Sequence, residues 1–128
     1  MEVSSAGAKR ILVVEDESGI RQVCQRALTS QGYHVDFATN GATATDMLME
    51  EDYDLLLIDI KTPVMNGKEF YRNIEARHPK LQDRVIFTTG DVISNDTQGF
   101  LEQVGRPCLL KPFTPNELQT IVQELLNR

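Results

Sequence analysis

Residues 55–59 read Leu-Leu-Leu-Ile-Asp, four apolar side chains in a row closed by a carboxylate. A short run that is apolar at every position predicts a strand covered on both faces, which is typical of a parallel sheet. Runs of the same kind occupy residues 11–14 and 85–87. Two weaker candidates cover residues 34–38, where Val and Phe alternate with polar residues, and residues 108–110, after a Gly-Arg-Pro break. We therefore expect five strands.

Helical spacing of apolar residues replaces the strand pattern between these runs. Apolar stripes predict helices over residues 20–28, 40–48 and 70–77, and a fifth helix begins at residues 114–117, Thr-Pro-Asn-Glu, with a cap, a first-turn proline and a capping-box glutamate. The fourth helix, within residues 94–104, contains a glycine and few core positions, so we expect it to be short or irregular. Alternating strands and helices predict an α/β fold with a parallel sheet covered on both faces.

Length and composition favour one domain. The chain has 128 residues, 41% of them hydrophobic, which suits a single domain at residues 9–128; the small, polar residues 1–8 are expected to be a disordered tail or a remnant of cloning. A net charge of -6 without any Lys/Arg run disfavours direct binding of nucleic acid or anionic lipid, and no apolar run is long enough to predict membrane insertion. Cys24 and Cys108 lie far apart in sequence, each in an apolar pattern, so they are expected to be buried free thiols. Free thiols suit a reducing cytoplasm, and no signal peptide is evident.

Polar side chains follow four of the predicted strands. Glu15 and Asp16 come after the first, Asp59 ends the third, Thr89 follows the fourth and Lys111 follows the fifth. In a parallel sheet these ends meet in one crevice, where the strand order reverses. Carboxylates gathered there repel one another unless they share a cation, and an all-oxygen site of this kind suits Mg²⁺. The sequence therefore predicts a magnesium site that faces a lysine.

The same motifs carry a family resemblance over residues 9–128. They are the acidic pair Glu15-Asp16, the run Asp-Ile-Lys-Thr-Pro-Val-Met-Asn-Gly at residues 59–67, Thr89-Gly90, and Lys-Pro-Phe at residues 111–113. In this order and at this spacing they resemble the receiver domains of two-component signalling, such as the chemotaxis regulators. The resemblance implies a flavodoxin-like, doubly wound sheet with strand order 2-1-3-4-5 and five helices.

The resemblance also implies a chemistry. Asp59 would accept a phosphoryl group from a partner histidine kinase or phosphotransfer domain, so that the protein is a switch that assists its own phosphorylation and dephosphorylation rather than an enzyme. Four groups would hold Mg²⁺: the carboxylates of Glu15, Asp16 and Asp59 and the backbone carbonyl of Lys61. Thr89 would hydrogen-bond the phosphoryl oxygen and Lys111 would neutralise it. The output surface would be helix four, strand five and helix five, on a monomer or weak dimer.

Three positions bear on the switch. Cys108 stands where many receivers carry a Tyr or Phe that moves inward on activation, and Lys61 places a cation two residues past Asp59, where it is expected to alter the lifetime of the acyl phosphate. Family resemblance implies a cis bond before Pro112. Because the ring is missing, we hypothesise that the domain signals through rearrangement of residues 91–105.

Rival functions remain open at this point. A pseudo-receiver would keep the fold and bind a partner without phosphorylation, but the complete acidic pair, Asp59, Thr89 and Lys111 disfavour it. A haloacid-dehalogenase-type phosphatase would need an aspartate at position 61, where this sequence has a lysine. A flavodoxin would need a phosphate-binding loop after strand one, where this sequence has the acidic run Glu-Asp-Glu. The sequence ends at Arg128, after helix five, so we expect the output to lie elsewhere, for a stand-alone regulator or a fragment of a hybrid histidine kinase.

Overall fold

The computed structural model describes residues 7–90 and 94–127. Strands and helices alternate along the chain, with one 3₁₀ helix before the fourth strand. In order they are β1 (Arg10–Val14), α1 (Ser18–Thr29), β2 (His34–Ala38), α2 (Gly41–Glu50), β3 (Leu55–Asp59), α3 (Gly67–Arg77), the 3₁₀ helix Pro79–Arg84, β4 (Val85–Thr89), α4 (Asn95–Val104), β5 (Cys108–Leu110) and α5 (Pro115–Leu126). The predicted tail lies mostly outside the described residues.

The sheet has five parallel strands in the order β2-β1-β3-β4-β5, which confirms the predicted topology. Its strand order reverses between β1 and β3, so the carboxyl ends of these two strands border the crevice where doubly wound sheets place their sites. The central strands β3 and β4 are buried at every residue. This burial explains why their sequences are almost continuously apolar.

Helices cover both faces of the sheet. Alternate residues of each strand point to opposite faces, so Leu12 and Val14 pack with α2, α3 and α4, while Ile11 and Val13 pack with α1 and α5. All four side chains are almost completely buried. Burial of an aliphatic side chain of this size contributes about 1.5–3 kcal/mol, so these two layers dominate the stability of the fold.

Helix ends follow the chemistry seen in the sequence. Thr114 and Glu117 form the predicted capping box of α5, with Pro115 in its first turn, and Asn66 and Glu69 form a second capping box at α3. These bonds satisfy backbone amides that the helix itself leaves without partners.

Helix α4 is more regular than the sequence predicts. It runs ten residues, with the Ser94 side chain accepting a hydrogen bond at its start and Gly105 ending it in a left-handed conformation at φ 65°. The two ends therefore compensate for the weak core face, because a capped start and a glycine stop define a helix independently of its apolar stripe. Residues 91–93 of the segment expected to rearrange lie outside the described residues.

An ion cluster closes the opposite, amino end of the sheet. Arg10 places Nη2 at 3.2 Å from Asp36 Oδ2 and Nη1 at 3.1 Å from Glu51 Oε2, and the Tyr53 hydroxyl donates to Asp36 Oδ2 at 2.7 Å. Burial alone would raise the pKa of Asp36, but the hydrogen bonds from Tyr53 and Arg10 outweigh it and lower that pKa. Asp36 is therefore held in its charged form.

Within residues 7–90 and 94–127, no helix is both long and apolar enough to cross a membrane.

Candidate phosphoacceptor site

The fold brings the predicted site residues to one edge of the sheet. Glu15 directly follows β1, Asp59 and Thr89 are the last residues of β3 and β4, and Lys111 directly follows β5. Glu15 and Asp59 are only 2% and 5% exposed, and Thr89 is buried as well, whereas Asp16 is exposed. Parallel strands end at the same edge, which is how residues almost a hundred positions apart come together.

Three carboxylates form the acidic part of the site. Glu15, Asp16 and Asp59 each offer an oxygen, and these oxygens all lie within 4.8 Å of one another. Burial raises the pKa of Glu15 to about 7, and the charge of Asp59 adds to the rise. Buried carboxylates this close repel one another, so the cluster gains stability from a shared cation. Hard oxygen ligands with one exposed, solvated member fit Mg²⁺, which keeps several of its waters when bound to protein.

Lys111 supplies the positive charge of the site. Its Nζ lies 2.7 Å from Glu15 Oε1, 3.1 Å from Asp59 Oδ2 and 3.5 Å from Glu17 Oε1. Burial alone would lower the pKa of Lys111, but the hydrogen bond to Glu15 and the charge of Asp59 outweigh it and raise that pKa. The lysine therefore keeps its proton and remains a cation throughout the neutral range.

The backbone around Asp59 fixes the direction of its carboxylate. The Lys61 amide donates to Asp59 Oδ1 at 3.2 Å, and the Gly67 amide donates to the Ile60 carbonyl at 2.9 Å. A Cβ atom at Gly67 would stand 2.6 Å from the Asp59 carbonyl oxygen, closer than side chains tolerate. Glycine is therefore required where α3 begins, because the helix starts in direct contact with the end of β3.

Two neighbours of the acidic pair were not singled out in the sequence. Glu17 is the third partner of Lys111, and the Arg21 guanidinium donates to the Glu15 carbonyl oxygen at 3.0 Å. Arg21 lies one turn into α1, so its reach back to the strand end follows from helix geometry. The run Glu-Asp-Glu at residues 15–17 was the available signal for Glu17, since a third acid beside the pair extends the negative charge.

The residues expected to carry the switch lie on β5 and its exit. Cys108 is the first residue of β5 and is half-buried, less completely than the sequence suggested, and burial raises the pKa of its thiol to about 11. It packs against the cluster that holds three aromatic rings, those of Tyr71, Phe87 and Phe100. The bond between Lys111 and Pro112 is cis, as expected.

Comparison with known proteins identifies the family. A sequence profile of the response regulator receiver domain matches residues 11–123. The transcriptional regulatory protein ResD of Bacillus subtilis is 36% identical over 119 residues, which are 93% of this chain and 48% of ResD. The response regulator receiver protein CpdR of Brucella abortus is 43% identical over 82 residues, 64% of this chain and 67% of CpdR. The chain spans about half the length of most of the curated relatives it matches.

Solved structures show the same architecture. The CheY-like receiver domain protein of Methanospirillum hungatei superposes with a TM-score of 0.85 at 29% identity, covering 94% of this chain and 95% of the other. The receiver domain of the sensor histidine kinase PA1611 from Pseudomonas aeruginosa has a TM-score of 0.84 at 31% identity, covering 95% and 100%, and holds a magnesium ion in its active-site cleft. The sequence match, the shared fold and the cluster of Glu15, Asp16 and Asp59 together show that this chain belongs to the response regulator receiver domain family, the signalling switches of two-component systems.

Proposed function

We propose that Asp59 accepts a phosphoryl group, in a Mg²⁺-dependent reaction, from a partner histidine kinase or phosphotransfer domain. The observation that carries the proposal is the convergence of three carboxylates with Lys111 at the end of β3, where Asp59 Oδ2 lies 3.1 Å from Lys111 Nζ. Two buried carboxylates, Glu15 and Asp59, share a single lysine, so their burial is only partly compensated, and a chemical role of the site accounts for the remaining cost.

The chain's own residues would act by position and charge. The Asp59 carboxylate oxygen would attack the phosphorus atom in line with the leaving group, and no general base is needed, because a carboxylate nucleophile has no proton to be removed. Lys111 Nζ, which now contacts Asp59, would neutralise an oxygen of the incoming phosphoryl group. The Thr89 hydroxyl would donate a hydrogen bond to a second oxygen from the end of the neighbouring strand.

The metal ligands of the proposal are the carboxylates of Glu15, Asp16 and Asp59 and the backbone carbonyl of Lys61. These residues would hold a Mg²⁺ ion, which would supply positive charge to the phosphoryl oxygens and reduce the repulsion among the carboxylates. The Glu17 amide donates to Glu15 Oε2 at 3.2 Å, so the orientation of this carboxylate is partly fixed by the backbone.

The signalling context belongs to the proposal as well. The domain would assist its own phosphorylation and dephosphorylation, in the cytoplasm, and would transmit the change through the surface of α4, β5 and α5. The two-component relatives support a kinase or phosphotransfer partner. A pseudo-receiver without phosphorylation is disfavoured, because the site keeps its acidic cluster and its lysine.

The route to the output surface would run through α4. Phe100 on α4 packs edge-to-face against Phe87 and Tyr71, with ring centroids 5.3 Å and 6.1 Å away. Cys108 on β5 has no ring that could move inward on phosphorylation, so the change would pass to α4 instead. Amide exchange compared between the unphosphorylated and phosphorylated domain tests this route. Unchanged protection across α4 would show that the output lies elsewhere.

The test of the phosphoacceptor is direct. The protein is incubated with acetyl phosphate and Mg²⁺, and its intact mass is measured for wild type, Asp59→Asn and the control Asp46→Asn, an exposed aspartate on α2. We expect the mass of one phosphoryl group on wild type and control and none on Asp59→Asn. An adduct on Asp59→Asn, or none on wild type, would refute the proposal.

A further inference from the structure

Arg72 connects α3 to α4, the helix through which the output route is proposed to run. Its Nη2 donates to Gln103 Oε1 at 3.1 Å, and its guanidinium carbon lies 5.5 Å from the centroid of the Phe100 ring. On its own helix, Nη1 donates to Glu75 Oε1 at 2.9 Å, which helps to orient the guanidinium. A single side chain on α3 therefore contacts two successive turns of α4.

Two kinds of contact hold the Phe100 ring. The rings of Tyr71 and Phe87 pack against it edge-on in the core, while Lys68 Nζ, 5.8 Å from its centroid, and Arg72 approach it from α3. Lys68 and Arg72 are four residues apart, so they project from the same face of the helix. The Arg72 side chain is 47% exposed, so its guanidinium can return to water when the contact breaks, whereas separating the rings would expose apolar surface. The contacts of Arg72 are therefore those that α4 can give up at low cost.

Open space borders the first turn of α4. A cavity of about 320 Å³ has Thr97 of α4 on one side and Ile60 and Thr62 of the β3–α3 loop on the other. Helices in a close-packed interior move only by displacing their neighbours, and such a cavity removes part of that cost. The start of α4 thus has room to shift beside the loop that follows Asp59, while Arg72 holds the helix at Phe100 and Gln103, farther along the chain.

Resting on the proposed function, we propose that Arg72 is a latch that stabilises the unphosphorylated position of α4 and is released when Asp59 carries a phosphoryl group. A contact made in only one of two states biases the equilibrium between them, whereas a contact made equally in both has no effect on it. By linkage, weakening the latch should tighten the binding of any ligand that favours the released position.

The experiment measures affinity for beryllofluoride, a non-covalent mimic of the phosphoryl group, at saturating Mg²⁺ and constant ionic strength. Half-saturating concentrations are read from amide cross-peaks in NMR spectra of wild type, Arg72→Met, Gln103→Met and Asp59→Asn. Methionine keeps an unbranched side chain at either position and removes the polar contact. Arg77→Met is the matched control, since Arg77 is an exposed arginine at the last residue of the same helix.

We expect Arg72→Met to lower the half-saturating concentration about threefold to tenfold and Gln103→Met about twofold to threefold, the equilibrium factors of contacts made by an exposed side chain. Arg77→Met removes the same charge, and loss of a cation alone should leave the binding of an anion unchanged or weaker. The sign of the change therefore distinguishes release of the latch from an altered net charge.

A latch also differs from an ordinary structural contact. If Arg72 contacted α4 equally in both states, Arg72→Met would lower the free energy of unfolding and leave the half-saturating concentration as in wild type. An unchanged or higher concentration in Arg72→Met or in Gln103→Met would overturn the latch while leaving the phosphoacceptor intact. If wild type bound no beryllofluoride, or Asp59→Asn bound it equally well, the proposed function itself would fail.

Discussion

Gly67→Ala probes the contact between α3 and the phosphoacceptor strand. The added Cβ would meet the Asp59 carbonyl oxygen at 2.6 Å and the Ile60 Cα at 2.8 Å. Both are backbone atoms, so the clash can be relieved only by moving the end of β3 or the start of α3. Overpacking by one methyl group costs about 1–3 kcal/mol, and we expect Gly67→Ala to lower the free energy of unfolding by about 2 kcal/mol.

Gly99→Ala is the matched control. Gly99 lies inside α4, and a Cβ there would have nothing within 4 Å. Alanine in a helix interior is favoured over glycine by about 0.5–1 kcal/mol, so this variant should be more stable than wild type. The same substitution thus has opposite signs at the two sites.

The free energy of unfolding of both variants is measured by urea unfolding, followed by far-UV circular dichroism. Unchanged m-values would show that the transition remains two-state. The phosphorylation rate of Asp59 should also fall in Gly67→Ala, because any relief of the clash displaces the attacking carboxylate. If Gly67→Ala were as stable as wild type and phosphorylated at the same rate, the close approach would have no role in placing Asp59.

Three further perturbations test the metal site, the amino-end cluster and the anchor of α4. Mg²⁺ at about 100 times its dissociation constant should raise the free energy of unfolding of wild type by about 2.7 kcal/mol and of Asp59→Asn by less, and equal shifts in a thermal melt would contradict the assigned ligands. Tyr53→Phe should lower the free energy of unfolding by about 1 kcal/mol at pH 7, because the Tyr53 hydroxyl donates to Asp36. The fold lowers the pKa of Asp36, so its charged form stabilises the protein above the unfolded-state pKa and this stabilisation is lost as the pH falls. The difference between Tyr53→Phe and wild type in urea unfolding should therefore shrink below about pH 4. Phe100→Ala should cost about 3–5 kcal/mol in urea unfolding, because the ring is 7% exposed and packs on two others; a loss below about 1 kcal/mol would mean that α4 is not anchored there.

Sequence patterns predicted the parts of the fold that depend on neighbouring residues. The buried strands were visible because burial on both faces demands apolar runs, and α5 was visible because its cap, proline and glutamate occupy four successive positions. The site was predictable for a topological reason: parallel strands end together, so polar residues at strand ends must meet. Residues 55–59 carried both signals at once.

Features that depend on distant geometry were not predictable in the same way. The 3₁₀ helix Pro79–Arg84 was not predicted, because none of its residues is buried and its sequence therefore shows no regular spacing of apolar residues. The cluster of Arg10, Asp36 and Tyr53 requires the register that pairs β1 with β2 and β3, which no local pattern contains. The sequence identified Gly67 only as part of a family motif. The reason why glycine is required there is its contact with the end of β3, eight residues earlier in the chain, which no local pattern shows.

The contacts of Lys111 explain why phosphorylation should change the structure outside the site. An ammonium group has three donors, and Nζ already lies within 3.5 Å of Glu15, Asp59 and Glu17. A phosphoryl group on Asp59 adds strong acceptors, so Lys111 must give up or lengthen an existing contact to meet them. Its amide is bonded to the Thr89 carbonyl at 2.9 Å, which couples any shift of the side chain to the β4–β5 pairing. Because Cys108 cannot fill or vacate the volume of an aromatic ring, this backbone coupling is the route by which we expect β5 to pass the change to α4.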